Sequence, residues 1–175
     1  MDAKRESEPT PMKNGTTVER KSERELVVTR TVNGPARLVF EAWTKPELFK
    51  QWWVPKSFPI SLRSCEMDVR AGGRYRLEFG HGDSKTFEAF GKYIEVTPHS
   101  RLVWTNDEGD DGGAVTTLTF EEKAGKTLLV MHELYPSKEA LDAAMASGEK
   151  SGTGEALDQL EELLVSAGAG QRASA

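Results

Sequence analysis

The sequence predicts an α+β domain in which a curved antiparallel sheet of about seven strands wraps around one long C-terminal helix. Three observations predict it. First, the spacing of apolar residues changes from a helical period to a period of two near Pro59. Second, residues typical of turns separate six consecutive strand-like segments after that point. Third, leucines at helical spacing form a stripe near the end of the chain. An antiparallel sheet of this size must cover its apolar face, and only the last predicted helix is long enough to do so.

Two short helices are predicted ahead of the main run of strands. Residues 36–43 carry an apolar stripe at helical spacing that ends in Trp43. Thr44 suits the N-cap of a second helix, which carries Trp52 and Trp53. Three of the four tryptophans therefore fall within eleven positions. This concentration of aromatic surface predicts a wall or lid over a hydrophobic space.

Seven segments have the alternation or composition of strands, namely residues 25–32, 60–69, 74–79, 86–96, 101–105, 114–121 and 127–134. Gly91 within the fourth of them predicts a bulge or a bend. The last six are joined by short turns, which favours an antiparallel meander. The closing helix is predicted over residues 152–167, with an apolar face that includes Leu157 and Leu160.

The composition is typical of a single soluble domain in a reducing compartment. The chain has 175 residues and a net charge of −5, with both signs mixed along it, which argues against a nucleic-acid binder. Cys65 is the only cysteine, so no intrachain disulfide and no cysteine metal cluster is expected. Neither a signal peptide nor a membrane span is recognisable. A cytoplasmic location is the resulting prediction.

The ends of the chain are expected to lie outside the domain. Residues 1–24 are polar and hold almost no bulky apolar side chains, so they are predicted to form a disordered N-terminal arm. The domain is predicted over residues 25–167, and residues 168–175 are predicted to be a flexible tail.

Several segments resemble the family named for the activator of Hsp90 ATPase homologue 1, within the START and Bet v 1-like (SRPBCC) helix-grip superfamily. They are VFEAWT at 39–44, WW at 52–53, DVRAGG at 68–73, GKYIEV at 91–96, RLVWT at 101–105 and LDQL at 157–160. The resemblance implies a helix-grip fold with a cavity for a small apolar molecule. Relatives often carry a bulky residue where this chain has Thr153, so extra room or a looser entry is expected at the start of the long helix.

Two polar residues are candidates for chemistry inside such a cavity. Glu95 shares a strand face with Tyr93, and a carboxyl group in an apolar space could act as a general acid or base. His132 lies on the last strand and could act as a proton shuttle near neutral pH. A structural role, in an ion pair or a hydrogen bond, is the alternative for both. No catalytic residue, metal site or cofactor is assigned.

The predicted function is binding of a small hydrophobic or amphipathic molecule between the sheet and the C-terminal helix. The predicted lining is Trp52, Tyr75, Phe79, Tyr93, Trp104, His132, Leu157 and Leu160. One alternative is an Hsp90-type co-chaperone or a stress-related interaction module, with Hsp90 as the partner. Another is a cyclase, hydratase or hydrolase that uses a cavity acid or His132. Strand edges and outward aromatic residues are compatible with a homodimer.

Overall fold

An antiparallel sheet dominates the computed structural model, which describes residues 10–11, 16–80, 86–107, 113–146 and 153–174. Within these residues the strands are β1 Thr10–Pro11, β2 Thr17–Arg20, β3 Glu25–Asn33, β4 Ser61–Met67, β5 Arg74–Gly80, β6 Thr86–Thr97, β7 Arg101–Thr105, β8 Val115–Lys123 and β9 Lys126–Leu134. The helices are α1 Ala36–Thr44, α2 Pro46–Phe49, α3 Lys138–Ala146 and α4 Thr153–Ser174. The predicted α+β fold, with its antiparallel sheet and C-terminal helix, is confirmed.

The strand order brings the first long strand beside the last one. The nine described strands run β1-β2-β3-β9-β8-β7-β6-β5-β4, and every neighbouring pair is antiparallel. The seven predicted strands correspond to β3–β9, and β4–β9 form the predicted meander. Val32 on β3 belongs to the same core cluster as Leu77 on β5 and Leu160 on α4. Both arms of the sheet therefore pack around the C-terminal helix.

The sheet changes partner in the middle of β6. Residues Thr86 to Lys92 of this strand pair with β5, whereas Tyr93 to Thr97 pair with β7. A register shift follows between Tyr93 and Glu95, so the predicted irregularity lies in this strand. Gly91 stands at the changeover, where a Cβ atom would lie 1.9 Å from the carbonyl oxygen of Thr105. Only glycine fits that close approach of two main chains.

A buried arginine fastens α4 to the sheet. Arg30 lies on the inner face of β3 and is 6% exposed. Its Nη2 donates to Asp158 Oδ1 over 2.7 Å and also to Glu161, while its Nη1 donates to Thr16 Oγ1 over 3.1 Å. Burial opposes the charged form, but the bonds to Glu161 and Asp158 outweigh it and raise the pKa of Arg30. The guanidinium thus joins β3, α4 and the segment that precedes β2.

The prediction of a disordered arm up to residue 24 is wrong for the segment next to the domain. Thr17–Arg20 forms β2 along β3, and Thr10–Pro11 pairs with β2. Thr16 is fully buried, and Val18 packs against a small core cluster that contains Leu26. These contacts offset the entropy of ordering the segment. Residues 1–9 and 12–15 lie outside the described residues.

Helix α4 is longer than predicted. It continues to Ser174, through most of the segment predicted to be a flexible tail. Ala169, Gln171, Arg172 and Ala173 have high helix propensity, which counteracts the low propensity of Gly168 and Gly170. Neither α4 nor another helix in the described ranges combines the length and apolar character needed to cross a membrane.

Candidate ligand-binding cavity

A cavity of about 440 Å³ lies between the inner face of the sheet, the segment after α2 and the first turns of α4. Most of its lining is apolar, and aromatic side chains provide much of it. The aromatic lining residues are Trp43, Phe49, Trp52, Trp53, Phe58, Tyr75, Phe79, Tyr93 and Trp104. Sites for small molecules usually have volumes of about 300–1,000 Å³ and mainly apolar walls.

The tryptophans pack against one another along this wall. The ring centroids of Trp43 and Trp52 are 4.7 Å apart, and those of Trp43 and Trp104 are 5.9 Å apart. Trp52 is fixed by a 3.0 Å hydrogen bond from its Nε1 to the carbonyl oxygen of Ala42. The indole Nε1 of Trp43, in contrast, is buried and has no hydrogen-bond partner among the described residues. Buried indole N–H groups usually find an acceptor, so this donor is a feature to be explained.

A strip of polar side chains crosses the apolar wall. The hydroxyl of Tyr75 lies 3.3 Å from Asn106 Oδ1, and Asn106 Nδ2 donates to Thr116 Oγ1 over 3.0 Å. Thr116 Oγ1 is 3.5 Å from Glu133 Oε2, and the hydroxyl of Tyr135 is 3.5 Å from Glu133 Oε1. Glu133 is 6% exposed and lines the cavity. The strip therefore brings a carboxyl group into a mainly apolar space.

The other ionisable lining residues differ from Glu133 in exposure or in charge. Glu88 is 38% exposed and forms an ion pair with Arg76 on the neighbouring strand. The hydrogen bond from Arg76 lowers the pKa of Glu88. Burial raises the pKa of Tyr93, so its phenol stays neutral and keeps its proton to donate.

The structure brings most of the predicted lining together. Six of the eight predicted residues line the cavity, namely Trp52, Tyr75, Phe79, Tyr93, Trp104 and Leu157. Leu160 does not. It is fully buried in the core, one turn further along α4, where it fills space between the helix and the sheet. Thr153 does line the cavity, at the start of α4 where extra room was predicted. That these residues bind a ligand stays a prediction.

The prediction that His132 faces the cavity is wrong. The inward positions of β9 are Leu129, Met131 and Glu133, and strict alternation turns His132 to the outer face. Its side chain is 35% exposed, and its Nε2 lies 2.9 Å from Glu25 Oε2. The structural alternative, an ion pair or hydrogen bond, describes this residue.

The prediction that Glu95 points inward is also wrong. The register shift between Tyr93 and Glu95 breaks the alternation that would have placed both on one face. The Glu95 side chain is 42% exposed, accepts a hydrogen bond from Thr97 and pairs with Arg101. It is a surface residue.

Sequence reasoning missed Asn106, Thr116 and Glu133 of the polar strip, and it missed the two methionines of the lining, Met67 and Met131. On β9 the two faces of the strand are about equally apolar, because Leu128, Val130 and Leu134 alternate with the inward residues. Alternation alone could not choose between them. Asn106 follows the end of β7 in a turn-like sequence, and nothing in that sequence indicated that it points inward.

Replacing His132 with alanine tests its placement outside the cavity. The hydrogen bond between His132 and Glu25 lowers the pKa of Glu25. A lowered carboxyl pKa stabilises the fold at pH values above its ordinary value, and this contribution is lost as the pH falls through the lowered value. In the His132→Ala variant we expect the Glu25 pKa, followed by NMR titration, to rise towards its ordinary value. Binding of a cavity probe should be unchanged, and a weakened affinity would contradict the placement.

The fold and the largely apolar cavity between sheet and helix define a helix-grip α+β domain. A family model described as "Activator of Hsp90 ATPase homolog 1-like protein" matches residues 33–165, and the chain belongs to this family. The family resemblance stated from the sequence is thereby confirmed. No curated protein matches the chain significantly.

Solved structures with the same fold come from several bacteria. A protein of Nitrosomonas europaea is 27% identical, with a TM-score of 0.76, and the match covers 85% of this chain and 98% of that one. A protein of Staphylococcus epidermidis is also 27% identical, with a TM-score of 0.72 and coverage of 84% and 93%. A protein of the same family from Aeromonas hydrophila is 19% identical, with a TM-score of 0.64 and coverage of 81% and 94%, and shows the fold alone.

Proposed function

We propose that this protein binds a small hydrophobic or amphipathic molecule in the cavity between its sheet and α4. The observation that carries the proposal is an apolar space of about 440 Å³ with a limited set of polar groups on one wall. Burial of apolar ligand surface supplies affinity, at about 0.8 kcal/mol for each CH₂ group removed from water. The polar strip from Tyr75 to Glu133 fixes the orientation of the ligand's polar end.

The indole N–H of Trp43, which has no hydrogen-bond partner among the described residues, supports the same proposal. A buried donor without an acceptor costs free energy, and that cost is removed when a ligand atom or a water molecule accepts the bond. Trp43 is 4% exposed and lies in the cavity wall. A core that had been packed only for stability would not be expected to keep such a group.

The surface of the domain gives less support to an interaction module. Such a module would present a large apolar patch. The large apolar side chains exposed in the described ranges are Phe90 and Ile94 on β6, Leu134 on β9, Met145 on α3 and Val165 on α4. They are spread over four elements, whereas all four tryptophans line the cavity.

Filling the cavity from Thr153 tests the proposal. N-phenyl-1-naphthylamine, a neutral dye that fluoresces in apolar surroundings, is titrated into the protein. We expect saturable binding at one site. In Thr153→Trp the larger side chain occupies the start of the cavity, so affinity should fall by at least about tenfold, which corresponds to about 1.4 kcal/mol.

The matched control is Val165→Trp on the same helix. Val165 is 63% exposed and is absent from the cavity lining, so the added indole leaves the cavity volume unchanged. Dye affinity in this variant should equal that of the parent. Absence of saturable binding in the parent, or equal affinities in both variants at equal thermal stability, would contradict the proposed function.

A further inference from the structure

We propose that the ligand of this cavity carries a hydrogen-bond acceptor, such as the oxygen of a carbonyl group, and that the hydroxyl group of Tyr93 donates to it. The inference rests on the proposed function and assigns a ligand class to it. It follows from the hydrogen bonds that the polar groups of the cavity wall make with other described residues.

Two of the three tyrosines of the chain have hydroxyl groups that contact oxygen atoms of the protein. The hydroxyl of Tyr75 donates to the carbonyl oxygen of Thr105 over 2.7 Å, and that of Tyr135 lies 3.5 Å from Glu133 Oε1. The hydroxyl of Tyr93, in contrast, has no hydrogen-bond partner among the described residues. Yet Tyr93 is only 5% exposed and lines the cavity. A buried hydroxyl group in this situation loses its hydrogen bonds to water and gains none in return.

The backbone of Tyr93 is held on two sides. Its N–H donates to the carbonyl oxygen of Gly73, and its carbonyl oxygen accepts from the N–H of Gly72, each over 2.8 Å. On β7 it is paired with Trp104, another lining residue. Its ring packs beside that of Tyr75, with 5.7 Å between the ring centroids. A donor on a strand that is held in this way can orient a ligand at a small cost in entropy.

The hydrogen-bond donors of the wall favour an acceptor on the ligand. Burial raises the pKa of Tyr93, so its hydroxyl group keeps its proton and can donate at neutral pH. The indole N–H of Trp43 is a second buried donor without a partner among the described residues. The side-chain amide of Asn106, in contrast, already donates to the carbonyl oxygen of Ala114 and to Thr116 Oγ1. A ligand that brings an acceptor can therefore satisfy a donor of the wall, and a hydrocarbon cannot.

Two probes that differ in one acceptor group test the inference. In 2-acetylnaphthalene a carbonyl group replaces the CH₂ group next to the rings of 2-ethylnaphthalene. Each probe is used to displace N-phenyl-1-naphthylamine from the parent protein and from Tyr93→Phe. We expect the variant to bind the ketone about fivefold more weakly than the parent does, as the loss of one neutral hydrogen bond predicts, and to bind the hydrocarbon equally well. Because the hydroxyl group has no partner among the described residues, the urea midpoint of Tyr93→Phe should be no lower than that of the parent.

Tyr135→Phe is the matched control, because it removes the hydroxyl group of a buried tyrosine outside the cavity lining. Tyr135 is 8% exposed and belongs to the small core cluster that contains Leu26. Both probes should bind to this variant as they bind to the parent.

The infrared carbonyl stretch of bound 2-acetylnaphthalene reports the hydrogen bond itself. In the parent protein this stretch should lie at a lower frequency than in hexane, because a hydrogen bond to the oxygen weakens the carbonyl bond. In Tyr93→Phe it should return towards the frequency in hexane.

The outcomes separate the two proposals. If the dye and both probes bind, but Tyr93→Phe keeps the parent's affinity for the ketone or weakens both probes equally, the inference is overturned and the proposed function stands. A lower urea midpoint for Tyr93→Phe would also overturn it, since the hydroxyl group would then have a partner within the protein. If neither the dye nor either probe binds, the proposed function fails and the inference falls with it. A carbonyl stretch in the parent equal to that in hexane would overturn the inference even if Tyr93→Phe does not fold.

Discussion

Gly91→Ala is expected to lower the free energy of unfolding by at least about 3 kcal/mol, or to prevent folding. The new Cβ atom would lie 1.9 Å from the carbonyl oxygen of Thr105 and 2.8 Å from its carbonyl carbon. It would also lie 2.9 Å from Cε1 of Tyr75. Main-chain atoms held in two paired strands cannot move aside as a flexible side chain can. Urea denaturation followed by tryptophan fluorescence measures the loss.

Gly80→Ala is the matched control at the end of β5. A Cβ atom there would lie 2.0 Å from Nε of Arg63, an atom near the far end of a flexible side chain and not part of the main chain. The expected loss is therefore below about 1 kcal/mol. Equal stabilities for the two variants would contradict the close approach of β6 to the end of β7. Because Tyr75 and the neighbouring Asn106 line the cavity, that approach also shapes the candidate site.

Arg30→Met is expected to lower the free energy of unfolding by about 2–4 kcal/mol. Removing one partner of a buried ion pair typically costs about 3–5 kcal/mol, because the other partner is left without compensation. Here the cost is smaller, since the side chain of Asp158 is 44% exposed and regains water. Glu161, with 20% exposure, regains less. The same urea measurement applies, with circular dichroism to follow the helices.

Arg101→Met is the control for this arginine. Arg101 pairs with Glu95 at 3.2 Å, but the two side chains are 47% and 42% exposed. Surface ion pairs contribute about 0–1 kcal/mol, so the variant should be nearly as stable as the parent. If the two arginine variants lost similar amounts of unfolding free energy, the bonds of Arg30 between β3 and α4 would stabilise the fold no more than a surface ion pair does.

The fold could be predicted from the sequence because apolar residues recur at the spacing of a strand or a helix in most of its elements. Leu26, Val28 and Val32 alternate on β3, and Leu157 and Leu160 recur at helical spacing on α4. The short strand β2 could not be predicted this way. Its four residues, TVER, include a single apolar one, and its stability comes from pairing with β3 and from the buried neighbour Thr16. The burial of Arg30 could not be predicted either, because its carboxylate partners lie 128 and 131 positions away.

The candidate site was predictable where aromatic residues carry it and unpredictable where polar residues do. Large aromatic side chains bury much apolar area, and between a sheet and a long helix there is space to bury it. The face that a polar residue takes depends on register, which a single sequence does not determine. The register shift in β6 places Glu95 on the outer face. On β9 both faces are about equally apolar, so the sequence did not indicate whether His132 or Glu133 points inward.

The most direct test of the central claim uses the four tryptophans, all of which line the cavity. Their indole N–H groups give separate signals in a ¹H–¹⁵N NMR spectrum, and decanol can be titrated into the labelled protein. A ligand between the sheet and α4 should shift these indole signals together and saturably, that of Trp43 included, while the imidazole ring signals of His132 and the amide of Val165 stay in place. Indole signals that do not move, with changes confined to outer-face amides, would contradict a binding cavity inside this domain.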